Sequence, residues 1–116
     1  MFPRRQGTPM STEADWKHLR SLQPVVLDRL CERILHEVVR TSRAQGKSNH
    51  ERYLAVYRLV QRRDREIAEA FNDMRRSTAL YSILAMHRMG LFTAEEIARF
   101  SDFVRAQIEP DSQDDA

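Results

Sequence analysis

The sixteen residues from Gln61 to Arg76, QRRDREIAEAFNDMRR, decide how this chain folds. Five charges run without interruption from Arg62 to Glu66, and Ile67 and Phe71 follow at a spacing of four. Taken with their neighbours, these residues belong to a longer pattern. Tyr53, Tyr57, Val60, Asp64, Ile67, Phe71, Met74, Thr78, Tyr81 and Ala85 recur at alternating steps of four and three, which is a heptad seam. No Pro or Gly interrupts the chain from Glu51 to Met89. The spacing predicts one long helix of about 40 residues, ~60 Å at ~1.5 Å per residue. Its weak points are Asn72 and the pair Ser77-Thr78, whose side chains compete for backbone hydrogen bonds. A break there would let the two halves fold on each other.

Upstream, STEADWKHLRSL over 11–22 opens with hydroxyl caps and early carboxylates, which suit a helix start, and predicts a short first helix over Thr12 to Leu22. Pro24 then ends that helix or sits in the first turn of the next, with Ser21 as its N-cap. A second helix over 22–44 carries Leu27, Leu30, Cys31, Ile34, Leu35, Val38 and Val39 on a wide apolar face. Gly46 is placed to leave it, and Ser48 with Glu51 forms a capping box for the long third helix. Downstream, Gly90 stops that helix, and Thr93 with Glu96 caps a fourth over 94–108, whose Ile97, Phe100, Phe103, Val104 and Ile108 share a face. The expected architecture is all-α, with three to four helices. An antiparallel helical hairpin carries a long third helix, and the C-terminal helix folds back.

The chain has 116 residues, 41% hydrophobic and 31% charged, enough for one small packed domain. Residues 11–109 are expected to form it. The Pro- and Gly-containing tail 1–10 and the acidic tail 110–116 are expected to be disordered. Cys31 is the only cysteine, so no internal disulfide can form, and its apolar neighbours suggest a small buried hydrophobe. No apolar run is long enough for a membrane span, and 1–10 lacks a secretory core, so a cytoplasmic protein is expected.

The charge pattern of the opening stretch favours a solvated face. Six Arg between 58 and 76 face four carboxylates, an excess of two that equals the net charge of the whole chain, +2. Pairs such as Arg62–Glu66, Arg65–Glu69 and Asp73–Arg76 fit a helix surface. A phosphate-binding face would not carry those carboxylates, which repel a nucleic-acid backbone. The candidate basic face is nonetheless Arg58, Arg62, Arg65 and Arg76. Asp64 breaks the apolar seam, as a polar register element or as an exposed edge.

Chemistry is not indicated. Asp15 with His18 and Glu32 with His36 differ in spacing and neither recurs, so no metal site is expected. His36 reads as a boundary histidine. Cys31 and His36 fall on opposite sides of a helix, which rules out direct activation of the thiol. No glycine-rich phosphate loop is present. The chain reads as a non-enzymatic protein–protein interaction module without cofactor, a homodimeric regulatory or accessory protein. The alternative is a nucleic-acid-binding accessory protein using the Arg-rich face. Because a helix of ~23 residues covers only about half of one of ~40, the second half of the third helix is the expected dimer contact. Its candidates are Ile67, Phe71, Met74, Tyr81, Leu84 and Met86.

Overall fold

The computed structural model describes residues 11–109, all of whose regular elements are helical. Both tails expected to be disordered lie outside the described residues. The elements are α1 (Glu13–Ser42), α2 (Asn49–Ile67), a π turn (Ala68–Asn72), a 3-10 turn (Arg76–Thr78), α3 (Ala79–Arg88), α4 (Ala94–Ala98) and α5 (Asp102–Ile108). The all-helical class expected from the sequence is observed, but the helices differ in number and extent.

The first difference is at Pro24. The two helices expected on either side of it are one continuous helix of 30 residues. A proline inside a helix loses one backbone hydrogen bond and crowds the carbonyl four residues back, a cost of ~3 kcal/mol. Pro24 is exposed, so the disturbed side faces solvent, while Leu19, Leu22, Val26 and Leu30 are buried along the opposite side. That burial holds the helix together across the proline. Ser21 does not cap a new helix, because its hydroxyl donates to the carbonyl of His18 at 2.8 Å.

The second difference is decisive. The long third helix does not continue past the opening stretch. After Ile67 the chain widens into the π turn, leaves helical geometry at Asp73 (φ −117°, ψ 54°) and restarts through the 3-10 turn into α3. The break falls between the two weak points, Asn72 and Ser77-Thr78. Thr78 stitches it: its hydroxyl donates to the carbonyl of Asp73 at 2.6 Å and accepts from the backbone N–H of Arg75 at 3.0 Å. α3 then packs against the π turn and α1. The core joins Trp16, Leu19, Leu22, Val26 and Leu30 of α1 to Phe71, Ile83 and Met86 across the break, and to Leu91, Phe100, Val104 and Ile108 beyond it.

The third difference is in the C-terminal helix, which is two short ones. Ser101 interrupts it and caps α5 through its hydroxyl. Asp15 fixes this break from α1. Its carboxylate accepts from the Thr12 N–H at 2.8 Å, closing the cap of α1, and from the Ser101 N–H and hydroxyl, both at 2.7 Å. Burial alone would push the Asp15 carboxyl up. The hydrogen bonds from Thr12 and Ser101 outweigh it and hold the group below its ordinary value.

The expected capping boxes at Ser48–Glu51 and Thr93–Glu96 are both formed. Gly90 takes φ +68°, and the N–H groups of Gly90 and Leu91 reach back to the carbonyls of His87 and Met86. This is the left-handed close of a helix that glycine permits. Two arginines of α1 grip the turn that follows. Arg33 donates to the carbonyls of Met89 and Gly90, each at 2.7 Å. Arg29 donates to the Leu91 carbonyl at 2.8 Å and clasps both oxygens of Glu96 at 2.7 Å. His18 lies 2.9 Å from the Glu96 carbonyl through Nε2, which must carry the proton because a carbonyl only accepts. Its ring also lies 4.6 Å from that of Phe100.

Hydrogen bonds from Arg29 set the Glu96 carboxyl at about 2 against an ordinary value of 4.5, with burial opposing and the Thr93 N–H assisting. A carboxyl depressed by folding contributes stability above its unfolded value and loses it as pH falls toward its folded one. Asp15 shifts in the same direction. Thermal stability should therefore drop between about pH 4.5 and pH 2. Glu96→Gln should cost ~1–3 kcal/mol at neutral pH and flatten that acid slope, as read by thermal melts across the range. Pro24→Ala should raise the urea midpoint, by ~1–2 kcal/mol in stability, with no change in slope.

Candidate interaction surface

The protein is elongated, 69 × 34 × 19 Å, because the C-terminal part of α1 and most of α2 form an antiparallel hairpin that projects beyond the body. Along α1 the contact line of this hairpin runs through Leu30, Ile34, Val38 and Thr41. Along α2 it runs through Arg52, Val56, Leu59, Arg63 and Glu66. Leu59 is the one residue of α2 that is fully buried. Two helices alone cannot enclose a core, and the apolar stripes on this pair are wider than their shared contact.

The excess is exposed. Leu35 is 63% accessible, Val39 44%, Tyr53 63%, Tyr57 52% and Val60 46%. Each lies about one residue beyond the contact line on its helix. A helix turns ~100° per residue, and in an antiparallel pair the successors of facing positions turn to the same side. These five side chains therefore share one flank, with half-buried Cys31 and Val56 beside them. Asp64, exposed, marks the base of the flank, and the tip carries Arg43 and Lys47.

Positions about one residue before the contact line turn to the opposite flank. They are Arg33, His36 and Arg40 on α1, and Arg58, Arg62 and Arg65 on α2, all exposed. An open groove of roughly 420 Å³ runs along this side, lined by Arg33, His36, Arg40 and Met89 among others. Arg63 bridges across the helices. It holds both oxygens of Glu37 at 2.8 and 2.9 Å and one of Glu66 at 2.7 Å. Hydrogen bonds from Arg63 hold the Glu37 carboxyl below its ordinary value, and the two carboxylates raise Arg63 further in return.

The residues expected at a dimer contact are placed differently from that expectation. Phe71 is 7% accessible and Met86 0%, so both belong to the protomer's own core. Ile67, Met74 and Leu84 are half-buried against that core, and only Tyr81 of the six is exposed, at 56%. The bend at 73–78 supplies the cover that a straight helix would have lacked. Of the expected basic face, Arg58, Arg62 and Arg65 stay together. Arg76 lies elsewhere, paired with Glu13 at 2.9 Å and 5.7 Å from the Trp16 ring. The pairs Arg62–Glu66, Arg65–Glu69 and Asp73–Arg76 are replaced by Arg63–Glu66 and Arg75–Asp73. His36, read as a boundary residue, is exposed, and Cys31 is half-buried rather than buried. Leu35 and Val39 fall on the apolar face of the second predicted helix, and Tyr53, Tyr57 and Val60 on the heptad seam; that periodicity carries no mark of the exposure they have.

Among the described residues, no three His, Cys, Asp or Glu side chains form a metal-binding group, and no helix is long and apolar enough to cross a membrane. Comparison with family models, curated proteins and solved structures finds no match.

Because Phe71 is buried, Phe71→Glu should unfold the protomer rather than separate two folded ones. The expected loss exceeds ~3 kcal/mol, seen as collapse of the cooperative thermal transition by circular dichroism.

Proposed function

We propose that the protein is a protein–protein interaction module of regulatory or accessory type, and that it works as a homodimer joined through the apolar flank of the α1–α2 hairpin. The observation that carries this reading is the exposure of five large apolar side chains on one side of a projecting two-helix unit. Contiguous apolar surface of this kind marks association sites.

A second copy is the occupant that the arrangement favours. Two hairpins pressed flank to flank make a four-helix bundle, which encloses a core between such stripes. A two-fold axis across the hairpin sets the tip of one copy against the base of the other. That pairing brings Arg43 and Lys47 toward Asp64, so the ends of the contact are opposite in charge. It also turns both basic flanks outward, where their repulsion is screened. A contact of this length is modest, and dissociation in the micromolar range is expected.

Sedimentation velocity from about 1 to 200 µM tests the reading. The expected result is a concentration-dependent shift from 13.7 kDa toward twice that mass. Tyr57→Glu should abolish the shift, and Tyr81→Glu, exposed on α3 away from the hairpin, should not. A single 13.7 kDa species throughout would reject the homodimer. Loss of the shift in Tyr81→Glu alone would reject the hairpin flank as its surface.

A further inference from the structure

We infer that the basic flank of the hairpin binds the phosphate backbone of nucleic acid, independently of the apolar flank opposite. Arg33, Arg40, Arg58, Arg62, Arg63 and Arg65 meet four carboxylates there, Glu37, Glu51, Glu66 and Glu69, an excess of two positive charges. The hairpin thus gathers the basic character of the protein onto one side.

Most of the carboxylates near these arginines are engaged or turned away in the fold, with exposed Glu69 left at the base of the row. Arg63 holds both Glu37 and Glu66. Asp64 points to the apolar flank. Glu51 is engaged at the hairpin tip by the cap of α2, accepting from the Ser48 N–H at 2.7 Å. By contrast, Arg40, Arg58, Arg62 and Arg65 have no carboxylate within ion-pair distance among the described residues. The guanidinium of Arg33 is bound only to the neutral carbonyls of Met89 and Gly90, so its charge is uncompensated as well.

The layout matches a polymer of repeating charge. Arg58, Arg62 and Arg65 follow at steps of four and three, which places them ~5–6 Å apart along α2. The α1 row of Arg33, His36 and Arg40 runs beside them, at the ~8–10 Å separation of packed helices. Both rows stand on rigid helices, and the α1 row lines an open groove that reaches α2 at Arg63 and Glu66. Guanidinium forks suit phosphate oxygens. A folded acidic protein would need large apolar anchors at the centre of its contact, and the exposed large apolar side chains of the hairpin are on the other flank. The binding is sequence-independent, because nothing on this flank is placed to read base edges.

Fluorescence anisotropy with a labelled RNA of about 20 nucleotides and a DNA duplex of the same length tests this. Wild type should bind at ~10 µM or tighter in ~50 mM salt, with a log–log salt slope of about −3 to −5. Arg58→Glu/Arg62→Glu should weaken binding at least tenfold while keeping the wild-type circular dichroism and melt. Arg99→Glu, exposed on the body, should change it little. The same result on a Tyr57→Glu background would separate this surface from the dimer contact. No binding at 100 µM in low salt, or equal loss in Arg99→Glu, would overturn the inference. So would poly-glutamate competing as well as RNA at equal charge, which would point to an acidic protein instead.

Discussion

The hydroxyl of Thr78 donates to the Asp73 carbonyl and accepts from the Arg75 N–H, and the chain reverses around those two bonds. Everything in the body follows from that reversal. The apolar face of α2 and the π turn ends in Ala70 and Phe71, and the apolar face of α3 begins with Ala79 and Ile83. A straight helix would carry the second set away from α1. The bend returns it, so that Phe71, Ile83 and Met86 close on Leu19, Val26 and Leu30 in one cluster. The π turn before it loosens the helix, and the short side chain of Thr78 supplies the replacement contacts that a broken helix needs.

α1 is the spine against which these pieces are measured. Three of its polar side chains, Asp15, Arg29 and Arg33, finish the ends of other elements. Asp15 completes the cap of its own helix and that of α5. Arg33 satisfies carbonyls at the end of α3. Arg29 holds Glu96, which itself caps α4. Short helices such as α4 and α5 are marginal alone. They persist because their open ends are filled from a helix long enough to reach all of them. The same length explains why Pro24 does not divide it: a helix fixed at so many points on one side tolerates a lost hydrogen bond on the other.

The helical class, the caps at Ser48 and Thr93, and the turns at Gly46 and Gly90 were legible, because each rests on local chemistry between residues a few positions apart. The extent of the helices was not. Pro24 looks like a boundary until Leu19 and Val26 are seen to bury on either side of it, which is a tertiary fact. Asn72 and Ser77-Thr78 were visible as weak points, but the heptad seam runs straight through them. That seam joins Tyr57, exposed in the hairpin, to Phe71, buried in the body. Periodicity shows which residues share a face and is silent on whether anything covers it. Ser101-Asp102 was a readable cap signal hidden inside an apolar pattern, and its meaning depended on Asp15, 86 residues away.

The elongated shape separates two kinds of stability within one chain. In the body, α1, the π turn, α3 and the short α4 and α5 pack together, and the bonds of Asp15 and Glu96 fix their ends, so that most of the apolar surface is covered. In the hairpin, a narrow line of half-buried side chains around Leu59 and the Arg63 bridge joins the helices, and the sequence spends Leu35, Val39, Tyr53, Tyr57 and Val60 on a side where nothing in the protomer receives them. Solubility alone would place polar residues there. The opposite flank shows that the hairpin has cations to place, and Arg33, Arg40, Arg58, Arg62 and Arg65 stand on that side. Helix geometry makes the division automatic: in an antiparallel pair, a one-residue offset toward the C-terminus selects one flank and an offset toward the N-terminus selects the other. A hairpin with apolar successors and basic predecessors along its contact line therefore has two surfaces back to back, and a partner on one leaves the other open.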